Sequence, residues 1–407
     1  MDDMSLVPVS AVEEAAQALQ SVIHTTPLDY SSTFTRLVGM EVFLKLENFQ
    51  KTGSFKIRGA FNKIRKLPQK DQANGVIAAS AGNHAQGVAL AARMLGVKAT
   101  IVMPEGAPIT KAAATRGYGA QVILDGENYD DAYKKAVGFQ KETGAVFVHA
   151  FDDTDIIAGQ GTVGWEILKA APNIDAILVP IGGGGLISGI AIAAKSFNKD
   201  VKIIGVEASG APSMSQALAG NAVCEIKDVN TIADGIAVKC PGNITFNIVK
   251  EMVDDVVTVD DEEIATAMLM LLERSKMVTE ASGAVTLAAL LAGKVVVPGK
   301  SKVACVISGG NVDVNMISQI INRGLAKTGR LVRLRTAVPD RPGALHELLS
   351  VVAQLRANVI AVSHDRLELT VPITETEVEL TLETRDINHI QKIINELEQS
   401  GYLTQLI

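Results

Sequence analysis

The sequence predicts an α/β protein built on a mostly parallel sheet, followed by a smaller α+β domain. In residues 1–325, short continuous apolar runs alternate with helical segments, which is typical of parallel strands covered by helices on both faces. From residue 330 onward, apolar and polar residues alternate instead, which indicates strands with one buried face. We therefore predict two domains, over residues 1–325 and 330–407.

The strands of the larger domain are short runs rich in β-branched and apolar residues. After an N-terminal helical segment, six runs read as strands, at residues 42–46, 76–79, 99–103, 176–181, 201–206 and 303–307. Three of them lead directly into glycine-containing turns, at residues 80–84, 182–186 and 308–311. Ligands of such sheets bind at the carboxyl ends of the strands. The sequence therefore predicts that the three turns face one crevice.

The smaller domain shows the order βαββαβ, which is typical of a ferredoxin-like fold. Strands with alternating apolar residues and helices with one apolar face follow one another in a fixed sequence. The predicted elements are a strand at 332–338, a helix at 345–355, a strand with Leu367, Leu369 and Val371, a strand with Val378, Leu380 and Leu382, a helix at 387–397 and a short terminal strand.

Composition limits the classes of partner. The chain has 407 residues, of which 47% are hydrophobic and 20% charged, as in a globular protein. Its net charge of -7 disfavours nucleic acid as the main partner, because phosphate binding needs a basic surface. The apolar stretches are too short for a bilayer, the first residues do not resemble a signal peptide, and three widely spaced cysteines suit a reducing compartment. We expect a cytoplasmic protein.

Lys56 is the first candidate for chemistry. It lies between Phe55 and Ile57, in the predicted first turn of a helix capped by Thr52 or Ser54. The positive end of a helix and apolar neighbours both disfavour an ammonium ion, so the pKa of this amine would fall and the amine could act as a nucleophile. A surface lysine on an amphipathic helix explains the same pattern, and both interpretations stay open.

Gly182, Gly183, Gly184 and Gly185 follow a strand and precede a helix. Such a turn exposes backbone N–H groups to a phosphate, although a tight turn could need glycine for its dihedral angles alone. The acid Glu207 stands where a dinucleotide fold would bind a ribose, but Ile187 and Ser188 occupy the place of its last glycine. The run also has no Walker lysine, which disfavours a nucleoside triphosphate.

Two further turns carry polar side chains. The turn at 80–84 has a serine hydroxyl and an asparagine amide that suit a substrate carboxylate, while plain helix capping by Ser80 or Asn83 is the alternative. His84 by itself is more often a packing or capping residue than a base. The turn at 308–311 allows the Ser308 hydroxyl to meet a ring nitrogen, but as a turn it is ordinary.

Together, in this order, the stretches 51–60, 80–87, 182–186 and 308–311 resemble the fold-type II pyridoxal-phosphate (PLP) enzymes, in particular the threonine dehydratase (threonine ammonia-lyase) group. The resemblance spans residues 12–323. It implies a two-part, tryptophan-synthase-β-like catalytic region, with a small subdomain at residues 50–150 inserted in a larger one. The tail from residue 330 resembles an ACT domain, a ligand-sensing module.

The resemblance also implies a role for each site residue. Lys56 would hold PLP covalently, be displaced by the substrate and then remove its Cα proton. Phe55 would lie beside the cofactor ring, Asn83 at its 3′-oxygen and Ser308 at its pyridine nitrogen. The cofactor phosphate would bind at Gly182, Gly183, Gly184, Gly185 and Leu186, and the substrate carboxylate at Ser80, Ala81, Gly82, Asn83 and His84.

The implied reaction is the dehydration and deamination of L-threonine to 2-oxobutanoate and ammonia, with L-serine giving pyruvate. Either isoleucine biosynthesis or threonine catabolism would use it. The rivals are a serine or threonine racemase, a β-replacement enzyme and a sensor without turnover. Racemases of the family place a serine where Ala81 stands, and the intact Lys56 argues against a sensor.

Two further sites follow from the resemblance. The metal candidates are Glu207, Ala211 and Ser213, where Ser213 replaces a carboxylate and puts a divalent ion in doubt, so a monovalent cation is the other candidate. In the ACT domain, the turn Asp340, Arg341, Pro342 and Gly343 is the candidate site for an amino-acid effector. A pure dimerisation module is the alternative, and a homodimer or homotetramer is expected.

Overall fold

The computed structural model describes residues 7–298, 300–366 and 372–407. Within these ranges every helix is too short or too polar to span a lipid bilayer. The chain divides into two compact units, residues 1–312 and 313–407. The division that the sequence predicts lies later, between residues 325 and 330. The two divisions differ in where they place the helix at 314–327. In the structure it belongs to the second unit, since it packs against the first strand of that unit.

The first unit alternates strands and helices along its length. Its strands are β1 (Leu28–Tyr30), β2 (Glu41–Leu46), β3 (Val76–Ala79), β4 (Ala99–Met103), β5 (Gln121–Leu124), β6 (Val146–Phe147), β7 (Ala176–Pro180), β8 (Lys202–Ala208), β9 (Asp255–Val259) and β10 (Lys302–Ile307). Its helices are α1 (Val9–Leu19), α2 (Ser32–Val38), α3 (Lys56–Arg65), α4 (Gln69–Asn74), α5 (Asn83–Leu95), α6 (Ile109–Gly117), α7 (Tyr129–Thr143), α8 (Thr154–Ala170), α9 (Gly185–Phe197), α10 (Ser213–Gly220), α11 (Asn243–Met252), α12 (Asp261–Met270) and α13 (Ala281–Leu291).

Two sheets organise this unit. The larger has the strand order β1-β2-β10-β7-β8-β9, in which only β1 runs antiparallel to its neighbour. The central strand β7 is buried throughout, as expected of a parallel strand covered on both faces. The smaller sheet has the order β5-β4-β3-β6, is wholly parallel and lies inside the predicted range 50–150. All six predicted strands are confirmed, to within two residues at each end.

The second unit contains a four-stranded antiparallel sheet with the order β12-β13-β11-β14. The predicted run Leu367, Leu369 and Val371 lies outside the described residues. The strand that the structure describes after the first helix of the βαββαβ order is β12. The elements of this unit are α14 (Val314–Lys327), β11 (Leu331–Pro339), α15 (Ala344–Gln354), β12 (Asn358–Asp365), β13 (Glu375–Glu383), α16 (Ile387–Gln399) and β14 (Thr404–Leu406).

Helix α3 packs in direct backbone contact with two other helices. A Cβ atom at Gly159 of α8 would lie 2.5 Å from the carbonyl oxygen of Arg58. One at Gly87 of α5 would lie 3.0 Å from the carbonyl carbon of Lys56. The α3 backbone already occupies the space of a side chain at both positions. The first turn of α3 is therefore fixed from two sides.

A buried charge network holds the same turn. The Arg58 guanidinium is fully buried and donates to Glu47, at 2.7 and 2.8 Å, and to Oε1 of Glu166 at 2.7 Å. Lys45 pairs with the other Glu166 oxygen at 2.5 Å. Removing one partner would leave a buried charge unpaired, which is strongly destabilising. The network therefore ties α3 to α8 and to the short 3₁₀ turn at Glu47–Phe49.

The predicted helix cap is wrong. Helix α3 begins after Phe55 with no side-chain cap, and the hydroxyls of Thr52 and Ser54 are buried without a hydrogen-bond partner within the described part of the chain. The reason is tertiary. Ser54 forms an isolated bridge with Gly309, and Phe55 N donates to the carbonyl of Ser308 at 3.2 Å, so this segment pairs with another turn.

The close approach of α3 and α8 predicts the effect of a single methyl group. Gly159→Ala should lower the stability of the protein by about 1–3 kcal/mol, because backbone atoms must move to admit the new Cβ. Gly138→Ala in α7 is the matched control, since a Cβ there meets nothing within 4 Å and should stabilise the helix by about 0.5–1 kcal/mol. The measurement is the thermal unfolding midpoint, and equal midpoints for the two variants would contradict the packing argument.

Candidate active site

Lys56 is the first residue of α3 and is half-buried. Its Nζ donates to the carbonyl oxygen of Ala150 at 3.0 Å and lies 5.1 Å from the centre of the Phe55 ring. Burial lowers the pKa of Lys56 to about 8, and the carboxylate of Glu280 acts in the opposite direction. The amine is therefore easier to deprotonate than that of a surface lysine, the alternative that the sequence left open.

The four glycines form a turn that itself carries no side chains, and neighbouring groups occupy the space that side chains would need. Gly184 has a left-handed φ of +93°, and a Cβ at Gly183 would overlap the ring of Phe151. The turn is held by Thr245, whose Oγ1 donates to the carbonyl of Gly183 at 2.6 Å. It leads into the N-terminus of α9, where Gly185 and Leu186 open the helix and present their N–H groups. This arrangement suits a bound phosphate.

Gln160 joins the glycine turn to Lys56. A Cβ at Gly185 would lie 2.7 Å from the Gln160 side-chain oxygen, which is buried without a hydrogen-bond partner in the described residues. The amide nitrogen of Gln160 contacts the carbonyl of Ala150 at 3.5 Å, the same oxygen that Lys56 binds. The Lys56 amine and the glycine turn therefore share Gln160 as a neighbour.

The turn at 80–84 meets the turn at 308–311. Asn83 is the first residue of α5. Both polar atoms of its amide form hydrogen bonds: Nδ2 donates to Glu280 at 2.7 Å and Oδ1 accepts from Asn311 at 2.8 Å. Ser80 accepts from the N–H of Gly82 at 3.2 Å, and the cap residue of α5 is Gly82, without a side-chain cap. The Asn83 side chain is thus engaged across the cleft and does not cap its own helix.

His84 and Ser308 complete the predicted set. His84 is buried and its Nε2 lies 2.9 Å from the carbonyl oxygen of Val148. Burial and the charge of Lys56 lower the pKa of His84 to about 3, so the ring is neutral at ordinary pH. The buried Ser308 hydroxyl donates weakly to the carbonyl of Ser282 at 3.4 Å. The carboxyl ends of β3, β7 and β10 thus supply all three turns.

Comparison with known proteins assigns this set of turns to a family. The family model of pyridoxal-phosphate dependent enzymes matches residues 19–309. The chain belongs to this family. The ACT-domain model matches residues 332–401, so the PLP-dependent catalytic region is followed by an ACT domain. Both assignments confirm the resemblance seen in the sequence.

This PLP enzyme is similar to one curated relative and two solved structures with different names. L-threonine ammonia-lyase of Thermotoga maritima is 52% identical over 402 residues, covering 99% of this chain and 100% of the relative. The structure of the processed form of threonine deaminase isoform 2 from Solanum lycopersicum is 35% identical with a TM-score of 0.73, covering 77% of this chain and 92% of that one. Maize serine racemase is 39% identical with a TM-score of 0.74, covering 79% and 98%.

The residues of the cleft fit PLP. A Cβ at Gly183 or Gly185 would collide with Phe151 or Gln160, so the turn offers backbone groups to a phosphate, and an amine of lowered pKa, suited to reaction with an aldehyde, lies at the carbonyl of Ala150. Phe55 contacts that amine, and the Ser308 hydroxyl follows β10 next to the loop that pairs with residues 53–55. A phosphorylated aldehyde with an aromatic ring matches each of these features.

Sequence reasoning missed Glu280, the residue before α13. It is 5% exposed, and its Oε1 accepts from Ser282 at 2.8 Å as well as from Asn83. It also missed Asp152, whose carboxylate accepts from the first N–H groups of α11, at 2.9 to 3.3 Å, beside the glycine turn. The sequence signal for Glu280 is a carboxylate directly before a helix without charged residues, whereas no local pattern singles out Asp152.

The metal candidates lie together, but the acid is already engaged. Glu207 is buried and accepts from the N–H groups of Met214 and Ser215 and from the Ser215 hydroxyl, at 2.5 to 2.9 Å, so it caps α10. Ala211 and Ser213 are buried beside it, and the Ser213 hydroxyl has no partner among the described residues. Among the residues that the structure describes, no three acidic, histidine or cysteine side chains form a group that could hold a metal ion.

The candidate effector turn lies between β11 and α15. Gly343 precedes the helix with a left-handed φ of +93°, a conformation that favours glycine. Arg341 pairs with Glu347 at 2.9 Å and Asp340 with Arg366 at 2.9 Å. Pro342 completes the turn. These ion pairs shape the loop, and the effector role stays a prediction.

The lowered pKa of Lys56 predicts how PLP uptake depends on pH. Only the neutral amine reacts, so covalent uptake by the cofactor-free protein should accelerate as the pH rises through about 8 and then level off. An exposed lysine, with a pKa of about 10.4, would still be accelerating there. Visible absorbance in a stopped-flow instrument gives the rate. Lys63→Ala on the same helix is the control that keeps uptake, and a rate still rising well above pH 8 would contradict the assignment.

Proposed function

We propose that this PLP enzyme dehydrates and deaminates L-threonine to 2-oxobutanoate and ammonia, and acts on L-serine to give pyruvate. The observation that carries the proposal is the half-buried Lys56 amine beside the glycine cradle, at the carbonyl of Ala150. The similarity to L-threonine ammonia-lyase of Thermotoga maritima along nearly the whole length of both chains supports threonine as the substrate.

Lys56 is the proposed base. PLP, when bound, supplies an electron-withdrawing ring that makes the Cα proton of an attached amino acid acidic. As a neutral amine, Nζ can accept that proton, and its contact with Ala150 fixes where it does so. His84 is proposed to stay neutral and to orient the turn through Val148, since its pKa of about 3 disqualifies it as a base near pH 7.

Ser308 favours elimination over transfer of the amino group. It is the proposed partner of the pyridine nitrogen, and a hydroxyl does not keep that nitrogen protonated as an aspartate would. A long-lived carbanion is then disfavoured, and early loss of the β-hydroxyl group follows. Phe55 is the proposed neighbour of the ring, and residues 182–186 are proposed to bind the phosphate through backbone N–H groups.

The substrate carboxylate is proposed to bind at the turn at the N-terminus of α5, which consists of Ser80, Ala81, Gly82, Asn83 and His84. Except for buried His84, these residues are half-buried and therefore accessible from the cleft. The side chain of Ala81 carries no proton that it could return to Cα. This is the reason for preferring a lyase to a racemase, the second candidate, which the similarity to maize serine racemase supports.

We further propose a cytoplasmic homodimer or homotetramer whose ACT domains bind an amino-acid effector. The three cysteines are free, which suits a reducing compartment. The site candidate for the effector is residues 340–343, and a monovalent cation near Glu207 is a separate proposal. A small effector acting through a second domain typically changes affinity by about 1–3 kcal/mol.

The central test measures 2-oxo acid and D-amino acid together. We expect the wild type to release 2-oxobutanoate from L-threonine and pyruvate from L-serine, with D-amino acids forming far more slowly. Lys56→Ala should abolish both reactions, because the base and the cofactor anchor are lost together. Coupled absorbance follows the oxo acids, and chiral chromatography follows the D-isomers. Rapid formation of D-serine or D-threonine would favour the racemase instead.

The ACT proposal predicts a loss of regulation when the tail is removed. A chain ending at residue 329 should keep 2-oxo acid release but should no longer respond to a panel of branched-chain amino acids. In the full chain, an effective member should shift the half-saturating threonine concentration by about 5- to 150-fold. Steady-state kinetics of both forms decide this point. Identical responses of the two forms would remove the effector role and leave dimerisation.

A further inference from the structure

Glu280 connects three parts of the cleft that are far apart in the sequence: the start of α13, the turn at 308–311 and the turn at 80–84. It lies directly before α13, and its backbone N–H donates to the carbonyl of Gly309 at 3.1 Å. Its Oε1 accepts from Asn83 at 2.7 Å and from Ser282 at 2.8 Å. The side chain is 5% exposed. A buried carboxylate with two donors on one oxygen holds those donors in place.

The orientation of the Asn83 amide follows from this contact. An amide can be turned by 180°, which exchanges its donor and acceptor. Here Nδ2 must face Glu280, because an ionised carboxylate only accepts, and Oδ1 must face the Nδ2 of Asn311. Asn311 Nδ2 also donates to the carbonyl of Thr52 at 2.7 Å, four residues before Lys56. One chain of hydrogen bonds thus runs from Glu280 to the segment that leads into α3.

Glu280 also lies among charged groups from three other elements. Lys56 of α3, Asp234 of the short turn Asp234–Ile236 and Lys111 of α6 all influence it, and Asp234 and Lys111 pair with each other at 2.6 Å. Burial, followed by the charge of Asp234, raises the pKa of Glu280 to about 7. The donors Ser282 and Asn83 and the charge of Lys111 act against this rise.

We propose that Glu280 is a positioning residue of the active site, whose carboxylate orients the Asn83 amide and whose ionisation sets the charge beside Lys56. Above its transition the carboxylate accepts from Asn83 and favours a proton on the Lys56 nitrogen. Below it, the neutral carboxyl group accepts more weakly from Asn83, can itself donate, and no longer favours that proton. The inference rests on the proposed cofactor site and is independent of the proposed substrate.

The first test follows the visible absorption of PLP bound to the full-length enzyme as the pH changes. The wild type should show a transition at about pH 7, which Glu280→Gln should lose and Glu280→Asp should partly restore. Asp234→Asn should move the transition to lower pH, since it removes a repelling charge. Ser282→Ala should move it to higher pH, since it removes a donor to the ionised form.

The two opposite shifts keep the test decisive if Glu280→Gln does not fold, because both variants retain Glu280. A transition unchanged in Glu280→Gln, or unmoved in both Asp234→Asn and Ser282→Ala, would overturn the charge role. Because absorption is read without substrate, a negative result here is distinct from failure to turn over L-threonine.

The second test concerns the orientation of Asn83 and measures PLP dissociation. Glu280→Ala should weaken PLP binding by about 10-fold, as expected for losing a hydrogen bond to a charged group. In an Asn83→Ala background the same change should have a clearly smaller effect, because no amide remains to be oriented. Purely additive effects of the two substitutions would overturn the positioning role.

Discussion

The chemistry of this protein depends on how closely α3 approaches α5 and α8. Lys56 and Arg58 lie in the first turn of α3, where glycines at 87 and 159 leave room for its backbone. The paired charges of Glu47 and Glu166 around Arg58 hold the turn from the other side. A lysine side chain has four rotatable bonds, so its amine has a defined position only if its backbone has one. The buried network and the two glycines provide that constraint.

The cleft gathers its parts from two sheets, since β7 and β10 are neighbours in the larger sheet and β3 belongs to the smaller one. The turn after β3 contacts the turn after β10 through Asn83 and Asn311, and Gly310 N of the latter turn donates to the carbonyl of Gly53, before α3, at 2.9 Å. The glycine turn needs further support, which Thr245 and Phe151 give from separate elements. The glycine turn of the proposed cofactor site is thus built from backbone groups, and Thr245 and Phe151 set its shape.

Burial sets the protonation of the cleft. The same loss of solvent lowers the pKa of Lys56, lowers that of His84 further and raises that of Glu280. The pKa values of Lys56 and Glu280 thus lie at about 8 and about 7 and the two groups influence each other, while the His84 ring stays neutral. This separation of roles comes from position in the fold, since the three residue types have quite different ordinary values.

The sequence by itself determined the strands, the glycine turns and the family. Continuous apolar runs such as 176–181 and a run of four glycines are local signals, because burial on both faces and close backbone approach each restrict residue type in place. Lys56 could be singled out because its apolar neighbours Phe55 and Ile57 are also a local signal. The helix at 314–327 lies between the two predicted domains, and it belongs to the second unit because it packs against β11, a contact that its own sequence pattern does not record.

Only the tertiary structure decided how those pieces are connected. The sequence could not show that Thr52 and Ser54 leave α3 uncapped, that Asn83 turns its amide to Glu280, or that Gln160 lies beside Gly185. Each of these contacts joins residues far apart in the chain, so no local pattern records it. Periodicity fixes which residues are buried, whereas the partner of a buried polar group depends on the packing of whole helices and strands.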